Sequence, residues 1–222
     1  METHRDVGVP LERRADNGKP DPYHGADHDA FAPVLRETVE ALHAGRVPFA
    51  LIGGIAVSSF GRPRWTHDID VLIRPEDADR ALGLLKERRF DTERTDPTWL
   101  FKAFKAGVMV DLIFYCTGGF YLEEEMIRRA VWRELFGTRM PLLAPEDLLL
   151  LKAAVHDEGG PRHWHDALGI LGRTELDWDY LLCRAQRAPR RLLSLLVYAH
   201  SIDLAVPNFA VKELYARVYG DR

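Results

Sequence analysis

The chain has 222 residues, of which 46% are hydrophobic and 29% are charged, a balance typical of an ordinary globular protein. The formal net charge of −4 argues against a large non-specific nucleic-acid surface, which is usually basic, so DNA is not an expected partner. No run approaches the ~18 apolar residues of a membrane span, so we expect a cytoplasmic protein with no membrane partner. Oligomeric state is left open by these features.

Two cysteines, Cys116 and Cys183, stand in unrelated contexts and form neither a CxxC pair nor a zinc spacing. We interpret both as buried free thiols in a reducing compartment. Residues 1–28 are polar and broken by proline and glycine, so we predict a flexible tail there.

Short apolar runs bounded by glycine or proline predict the strands. They are VPFALI at 47–52, HDIDVLI at 67–73, WLFKAFKA at 99–106, VMVDLIFYC at 108–116 and a pair within WRELFGTRMPLL at 132–143. Apolar residues at helical spacing predict the helices. They are a helix from Asp29 to about Gly45, GGIAVSSFG at 53–61, the run 74–89, LEEEMIRRAV at 122–131, APEDLLLLKAAVH at 144–156 and leucine-rich segments after Arg162. The pattern predicts a mixed α/β half followed by a helical half.

The predicted strand HDIDVLI carries two carboxylates on one face. Alternate side chains of a strand share a face, so Asp68 and Asp70 point to one side while Ile69 and Val71 point to the other. Two like charges this close repel each other and resist desolvation, so the pair needs a cation. Oxygen ligands suit Mg²⁺ or Mn²⁺.

A third carboxylate, Asp111, stands alone in the apolar strand VMVDLIF. If this strand lies beside the strand of Asp68 and Asp70, the three side chains converge. Three converging carboxylates are a ligand set for two divalent ions roughly 3.5–4 Å apart, which activate a hydroxyl and stabilise phosphoryl charge.

Gly53 and Gly54 stand where a predicted strand passes into a helix. Glycine allows the backbone to approach a phosphate, and a helix N-terminus presents free N–H groups to it. Ser58 or Ser59 could add a hydroxyl. A plain tight turn is the alternative interpretation, and the Walker pattern GxxxxGK[ST] is absent.

Taken together, GGIAVSSFGRPRWTHDIDVLI at 53–73 and VDLI at 110–113 resemble the polymerase-beta-like nucleotidyltransferase superfamily. The sequence looks most like its small bacterial members, which are antibiotic-modifying enzymes and toxin-type minimal nucleotidyltransferases. The resemblance covers about residues 49–115. The segment PEDLLLLKAAVHDEGGPRHWHDALGIL at 145–171 is similar to the helical segment that follows the core in these proteins.

The resemblance implies an α/β (α+β) nucleotidyltransferase fold. A small mixed sheet flanked by helices would form a core at 29–145, after the tail at 1–28 and before a C-terminal helical region at 146–222.

Roles for single residues are also implied by the resemblance. Asp68, Asp70 and Asp111 match the metal-binding and catalytic carboxylates, and Asp111 is the candidate to orient or deprotonate the acceptor. The matched nucleotide-binding residues are Gly53, Gly54, Ser58, Arg64, Thr66 and Lys152. Solvation at the surface is the alternative interpretation for Arg64 and Lys152.

The implied reaction moves an NMP from an NTP to an acceptor hydroxyl, depends on Mg²⁺ or Mn²⁺, and releases pyrophosphate. The acceptor and the preferred NTP are left open. A cationic antibiotic would favour an acidic pocket, which Glu123, Glu124 and Glu125 could line. A tRNA or a protein would favour a basic rim. Candidates for that rim are Arg128, Arg129, Arg133 and Arg139.

Two further alternatives stay open in the sequence. The protein could be a catalytically idle nucleotide-binding regulator or toxin–antitoxin partner, although three intact carboxylates argue against this. Arg162, His163, His165 and Asp166 form a polar cluster at a predicted helix start, where Asp166 could contact the nucleotide or substrate, or could cap the helix or pair locally. A separate zinc site formed by His156, His163 and His165 is a further alternative.

Overall fold

The computed structural model describes residues 28–155 and 161–220. The tail predicted at 1–28 lies outside these residues except for its last position, and the zinc site predicted with His156 lies partly outside them. Within the described ranges, no helix is long and apolar enough to cross a membrane.

Seven strands and nine α-helices make up the described chain. The strands are β1 (Phe49–Leu51), β2 (Asp68–Ile73), β3 (Asp91–Asp96), β4 (Leu100–Lys105), β5 (Val108–Ile113), β6 (Val131–Leu135) and β7 (Thr138–Leu142). The helices are α1 (His28–Ala44), α2 (Gly53–Phe60), α3 (Ala78–Glu87), α4 (Glu124–Arg129), α5 (Pro145–Val155), α6 (Arg162–Leu171), α7 (Trp178–Arg184), α8 (Pro189–Ser201) and α9 (Asn208–Tyr219).

The strands form one mixed sheet in the order β3-β4-β5-β2-β1-β7-β6. Strand β2 runs parallel to β5 and antiparallel to β1, and β4 is antiparallel to β5. Helices pack on the sheet, with α2 against β2, α1 against β5, and α3 against β3, β4 and β5. The predicted α/β fold, with a mixed sheet flanked by helices and a helical C-terminal region, is confirmed.

The alternation of side chains in β2 determines which residues reach solvent. Ile69 and Val71 are fully buried, whereas Asp68 and Asp70 remain partly accessible on the other face. The strand therefore presents its carboxylates on one side and anchors itself through its aliphatic residues on the other, as the period-2 pattern predicts.

Strand β3 was not predicted, because its sequence DTERTD has no apolar alternation. It forms at the sheet edge by pairing with β4, and most of its side chains are exposed. A charged edge strand also discourages pairing with another chain. The prediction that both cysteines are buried is wrong for Cys183, which is exposed on α7, and Cys116 is only partly buried.

Helix α5 is buried along almost its whole length, and it carries Lys152, one of the predicted nucleotide-binding residues. Near the N-terminus of α5, Asp147 is fully buried. Its carboxylate accepts hydrogen bonds from the Tyr180 hydroxyl at 2.6 Å and from Arg184 Nε at 2.9 Å. These contacts tie α7 to α5.

Candidate active site

An open cleft of about 1130 Å³ lies over the face of the sheet that carries the three carboxylates. Asp68, Asp70 and Asp111 all line it, and so do four of the six predicted nucleotide-binding residues. These four are Gly53, Arg64, Thr66 and Lys152. The other two, Gly54 and Ser58, line a separate apolar cavity of about 560 Å³ behind the loop 63–67.

The pairing of β2 with β5 brings the predicted carboxylates together. In the parallel ladder Asp70 is the direct partner of Asp111, and Asp68 is the partner of Met109. Side chains that are directly opposite each other on neighbouring strands share a face of the sheet. The predicted adjacency of the two strands is therefore present, in the register that places their carboxylates on one side.

Asp70 lies between the other two carboxylates, and its pKa is shifted strongly from the ordinary value. Burial raises the pKa of Asp70, and the like charges of Asp68 and Asp111 raise it further, to about 7. The positive charges of Lys152 and Arg64 oppose this shift. A buried carboxylate between two others is an electrostatic cost that a bound cation would relieve.

Asp111 receives a direct ionic partner from the next strand. Burial raises the pKa of Asp111, while a hydrogen bond from Lys102 acts in the opposite direction. Lys102 Nζ lies 2.7 Å from Asp111 Oδ1, because Lys102 is the cross-strand partner of Asp111 in the β4–β5 ladder. Lys102 was not predicted as a site residue. Its only signal in the sequence is a lysine within the apolar run WLFKAFKA.

Asp68 is oriented by the loop that precedes β2. The Thr66 hydroxyl donates to Asp68 Oδ1 at 2.5 Å. This contact fixes one carboxylate oxygen and leaves the other for a ligand. The predicted Thr66 thus lies beside the carboxylates and supports one of them.

The glycine pair packs directly against the acidic residues. Gly53 has φ +59°, and a Cβ atom there would lie 1.7 Å from Asp70 Oδ2. A Cβ atom on Gly54 would lie 2.4 Å from the Cβ and Oγ1 of Thr66. Only glycine fits at Gly53, both for the backbone conformation and for space. The Asp70 carboxylate consequently lies at the start of α2, where helix N–H groups favour negative charge.

Arg64 and Lys152 meet on one carboxylate of α6. Lys152 Nζ lies 3.0 Å from Asp166 Oδ2, and Arg64 Nε lies 3.3 Å from Asp166 Oδ1. Lys152 is buried, so the interpretation as a solvated surface lysine does not apply to it. The Ser58 hydroxyl donates to the backbone oxygen of Arg64 at 2.8 Å. Ser58 therefore holds the loop of Arg64.

Residues 27–202 match a family described as uncharacterised nucleotidyltransferase. The chain belongs to this nucleotidyltransferase family. The resemblance that the glycine pair and the three carboxylates indicate is thereby confirmed, and by class the chain is a transferase. Among curated proteins, no relative is found.

Solved structures share the fold of this nucleotidyltransferase. An antigenic nucleotidyltransferase-like protein from Paracoccidioides brasiliensis is 16% identical, with 87% of this chain and 98% of that chain aligned and a TM-score of 0.55. The antibiotic-resistance factor ANT(2'')-Ia is 14% identical, with 87% of this chain and 100% of that chain aligned and a TM-score of 0.50. At these identities the likeness concerns the fold alone.

The acidic run of this nucleotidyltransferase does not line the cleft. Glu123 is paired with Arg184 and Arg187, and Glu124 accepts from Arg74 at 2.5 Å. Glu125 pairs with both arginines of its own helix α4, the second at 3.0 Å. The acidic pocket that these residues could have formed is therefore absent from the described part of the cleft.

The arginines predicted to form a basic rim do not line the cleft either. Arg128 and Arg129 are the partners of Glu125, and Arg129 also contacts Asp177 at 2.9 Å. Arg133 and Arg139 are exposed residues of the β6–β7 hairpin and are not among the residues that line the cleft. The opposite charges of this region largely neutralise each other, so neither acceptor class is favoured by them.

At the other rim of the cleft, Arg162 and His163 line the wall, whereas His165 is exposed. Cys116 also lines the cleft, and burial together with the Asp70 charge raises the pKa of its thiol to about 12. That thiol stays protonated at neutral pH and is a poor nucleophile.

The carboxylates of the nucleotidyltransferase suit a hard divalent cation. Carboxylate oxygens are the ligands that Mg²⁺ and Mn²⁺ prefer. A divalent ion would also reduce the repulsion between Asp70 and the neighbouring carboxylates. Among residues 28–155 and 161–220, however, no three His, Cys, Asp or Glu side chains form a ready-made cluster for one ion. The three carboxylates share the cleft, with Asp111 in contact with Lys102.

Proposed function

We propose that this protein transfers a nucleoside monophosphate from an NTP to an acceptor hydroxyl, in the presence of Mg²⁺ or Mn²⁺. The observation that carries the proposal is the register of β2 and β5, which sets Asp70 opposite Asp111 in the cleft, within range of Arg64 and Lys152. Paired carboxylates next to the buried Lys152 and the exposed Arg64 fit a polyphosphate held through metal and salt bridges.

The two halves of the cleft support different tasks. The turn at Gly53 directly follows β1, the neighbour of β2 on that side of Asp70. Together with Arg64 and Lys152, this turn would bind the triphosphate through backbone N–H groups and positive charge. Asp111 lies on the opposite side, over β5, and would meet the acceptor. In this proposal the sheet would hold donor and acceptor on either side of one carboxylate, which would favour reaction by proximity.

In the proposed step the acceptor oxygen forms a bond to the α-phosphorus of the NTP. The bond from that phosphorus to the bridging oxygen breaks, and pyrophosphate leaves with the electron pair. The hydroxyl proton passes to Asp111 acting as general base. A divalent ion held by Asp68 and Asp70 would neutralise phosphoryl charge. Thr66 orients Asp68 through its hydrogen bond, and Gly53 leaves the space that the Asp70 carboxylate occupies.

A label-transfer assay tests this proposal. The protein is incubated with each α-³²P-labelled NTP, Mg²⁺, total RNA, total protein and a panel of hydroxyl-bearing small molecules that includes antibiotics. We expect label in one acceptor class, and a loss of at least ~10²-fold in Asp70→Asn, the scale for removal of transition-state charge stabilisation.

Asp79→Asn is the matched control. Asp79 is an exposed aspartate of α3 whose side chain contacts Arg94 at 2.6 Å outside the cleft. Its replacement should leave transfer unchanged. Tight Mg²⁺–NTP binding with no label in any acceptor would instead indicate an idle nucleotide-binding protein, and transfer that survives Asp70→Asn would overturn the site assignment.

A further inference from the structure

The ammonium group of Lys102 lies against Asp111, one of the residues that line the cleft. Lys102 Nζ lies 2.7 Å from Asp111 Oδ1 and 3.2 Å from Met109 Sδ. The two side chains of the ion pair are 20% and 14% exposed, so water screens their interaction only partly. This is a partly buried contact and differs from an exposed surface pair of low energetic value.

The sheet fixes the position of this ammonium relative to the carboxylates. Asp70 is opposite Asp111 in the β2–β5 ladder, and Asp111 is opposite Lys102 in the β4–β5 ladder. A row of Asp, Asp and Lys thus crosses three neighbouring strands on one face. The lysine lies beyond Asp111 as seen from β2, which is the side where an acceptor would enter.

Before a nucleotide binds, the charges of the row are balanced by a single divalent ion. Asp68, Asp70 and Asp111 carry three negative charges when ionised. One divalent ion together with the ammonium of Lys102 balances them. A second divalent ion at Asp111 would have to lie next to the ammonium, where the charges repel, or displace it from a partner in a partly buried site.

We propose that Lys102 takes the place of a second metal ion, so that this protein transfers nucleotide with one divalent ion. This inference rests on the proposed function. An ammonium carries three donors, and the contacts to Asp111 and Met109 use two of them. The third donates to the acceptor oxygen and orients it while that oxygen bonds to the α-phosphorus. Pyrophosphate leaves with its electron pair, the hydroxyl proton passes to Asp111, and Lys102 keeps its own protons.

Counting bound Mn²⁺ tests the inference without measuring activity. The protein is saturated with the non-transferable analogue α,β-methylene-ATP, and bound Mn²⁺ is obtained from the loss of the free-ion signal in electron paramagnetic resonance. We expect one ion per bound nucleotide in the wild type. In Lys102→Met, with the ammonium removed, we expect a second ion to bind at least ~10-fold more tightly than any second ion in the wild type, about 1.4 kcal/mol.

Lys105→Met is the matched control on the same strand. Lys105 lies on the opposite face of β4 from Lys102 and contacts Glu37 at 2.6 Å instead of a site carboxylate. Its replacement should leave one ion per nucleotide. Two ions of similar affinity in the wild type would overturn the inference, a result that does not depend on any variant folding. So would a folded Lys102→Met protein that gains no second ion.

The same titration separates this inference from the function on which it rests. A wild-type protein that binds neither the analogue nor Mn²⁺ would refute the proposed nucleotide site itself. A wild type that binds the analogue with two ions would leave nucleotide transfer in place and refute only the role of Lys102.

Discussion

Replacing Asp70 by asparagine removes the charge at the centre of the site while keeping the shape of the side chain. In the absence of a cation, the ionised carboxylate is surrounded by buried surface and by the charges of Asp68 and Asp111. We therefore expect Asp70→Asn to make the metal-free protein more stable at pH 8, in contrast to most replacements of a buried residue.

The magnitude follows from the shift in pKa. Asp70 has a pKa of about 7 in the folded protein, against 3.8 as its ordinary value. At about 1.4 kcal/mol per pKa unit, the difference corresponds to roughly 4 kcal/mol as an upper value. Because the folded pKa is raised, folding is favoured when Asp70 is protonated. This stability is fully present below about pH 4 and is lost as the pH rises through about 7.

Urea unfolding in EDTA measures the effect. Wild type, Asp70→Asn and the control Asp79→Asn are compared at pH 8, 6 and 5, and the free energy of unfolding is extrapolated to water. We expect Asp70→Asn to exceed the wild type by roughly 2–4 kcal/mol at pH 8 and by progressively less at lower pH. Addition of Mg²⁺ should stabilise the wild type and leave Asp70→Asn nearly unchanged.

Two results would refute this reasoning. An Asp70→Asn protein that is less stable than the wild type at pH 8 would mean that the carboxylate supports the fold. A difference between the two proteins that does not change with pH would mean that asparagine acts through packing and not through charge.

Three further replacements have defined outcomes. Gly53→Ala puts a methyl group against Asp70, at a positive φ, and should abolish Mg²⁺–ATP binding in calorimetry. The control Gly83→Ala changes a helical position with open space, so this variant should bind Mg²⁺–ATP normally and gain up to ~1 kcal/mol in urea unfolding. Equal binding by both variants would contradict the close packing of the turn. Asp111→Asn should keep Mg²⁺–ATP affinity within about tenfold but lower label transfer by ~10² or more, and equal losses in both measurements would contradict an acceptor-side role. Arg184→Met leaves two carboxylates without their shared partner and should cost about 3–5 kcal/mol in urea unfolding; a loss below ~1 kcal/mol would mean that the network is not structural.

The parts of the site with strong local signals could be predicted from the sequence. The period-2 pattern of HDIDVLI placed Asp68 and Asp70 on one face, and an isolated aspartate in an apolar strand marked Asp111. The positive φ at Gly53 agrees with the turn predicted from the glycine pair. In each of these cases the signal is local, either the alternation of side chains along a strand or the backbone conformation of a turn.

The interactions between distant segments could not be predicted. Nothing local in Lys102 indicates that β4 will pair with β5 in the register that brings it to Asp111. The charges of Glu123 and Arg128 also suggested binding surfaces, although contacts with other arginines and glutamates occupy them. The charged strand β3 exists only because β4 provides an edge for it. Such outcomes depend on tertiary pairing, which composition and periodicity do not specify.

The three carboxylates share one face only when β2 and β5 pair in the correct register, so the site also indicates whether the sheet has folded in that register. These two strands are parallel neighbours, yet a helix and two other strands lie between them in the chain. A slip of one residue in β5 would turn Asp111 toward the opposite face of the sheet and bring Val110 or Leu112 into the cleft. A nucleotide or divalent ion that binds only the aligned carboxylates should therefore favour the correctly registered sheet by mass action when present during refolding.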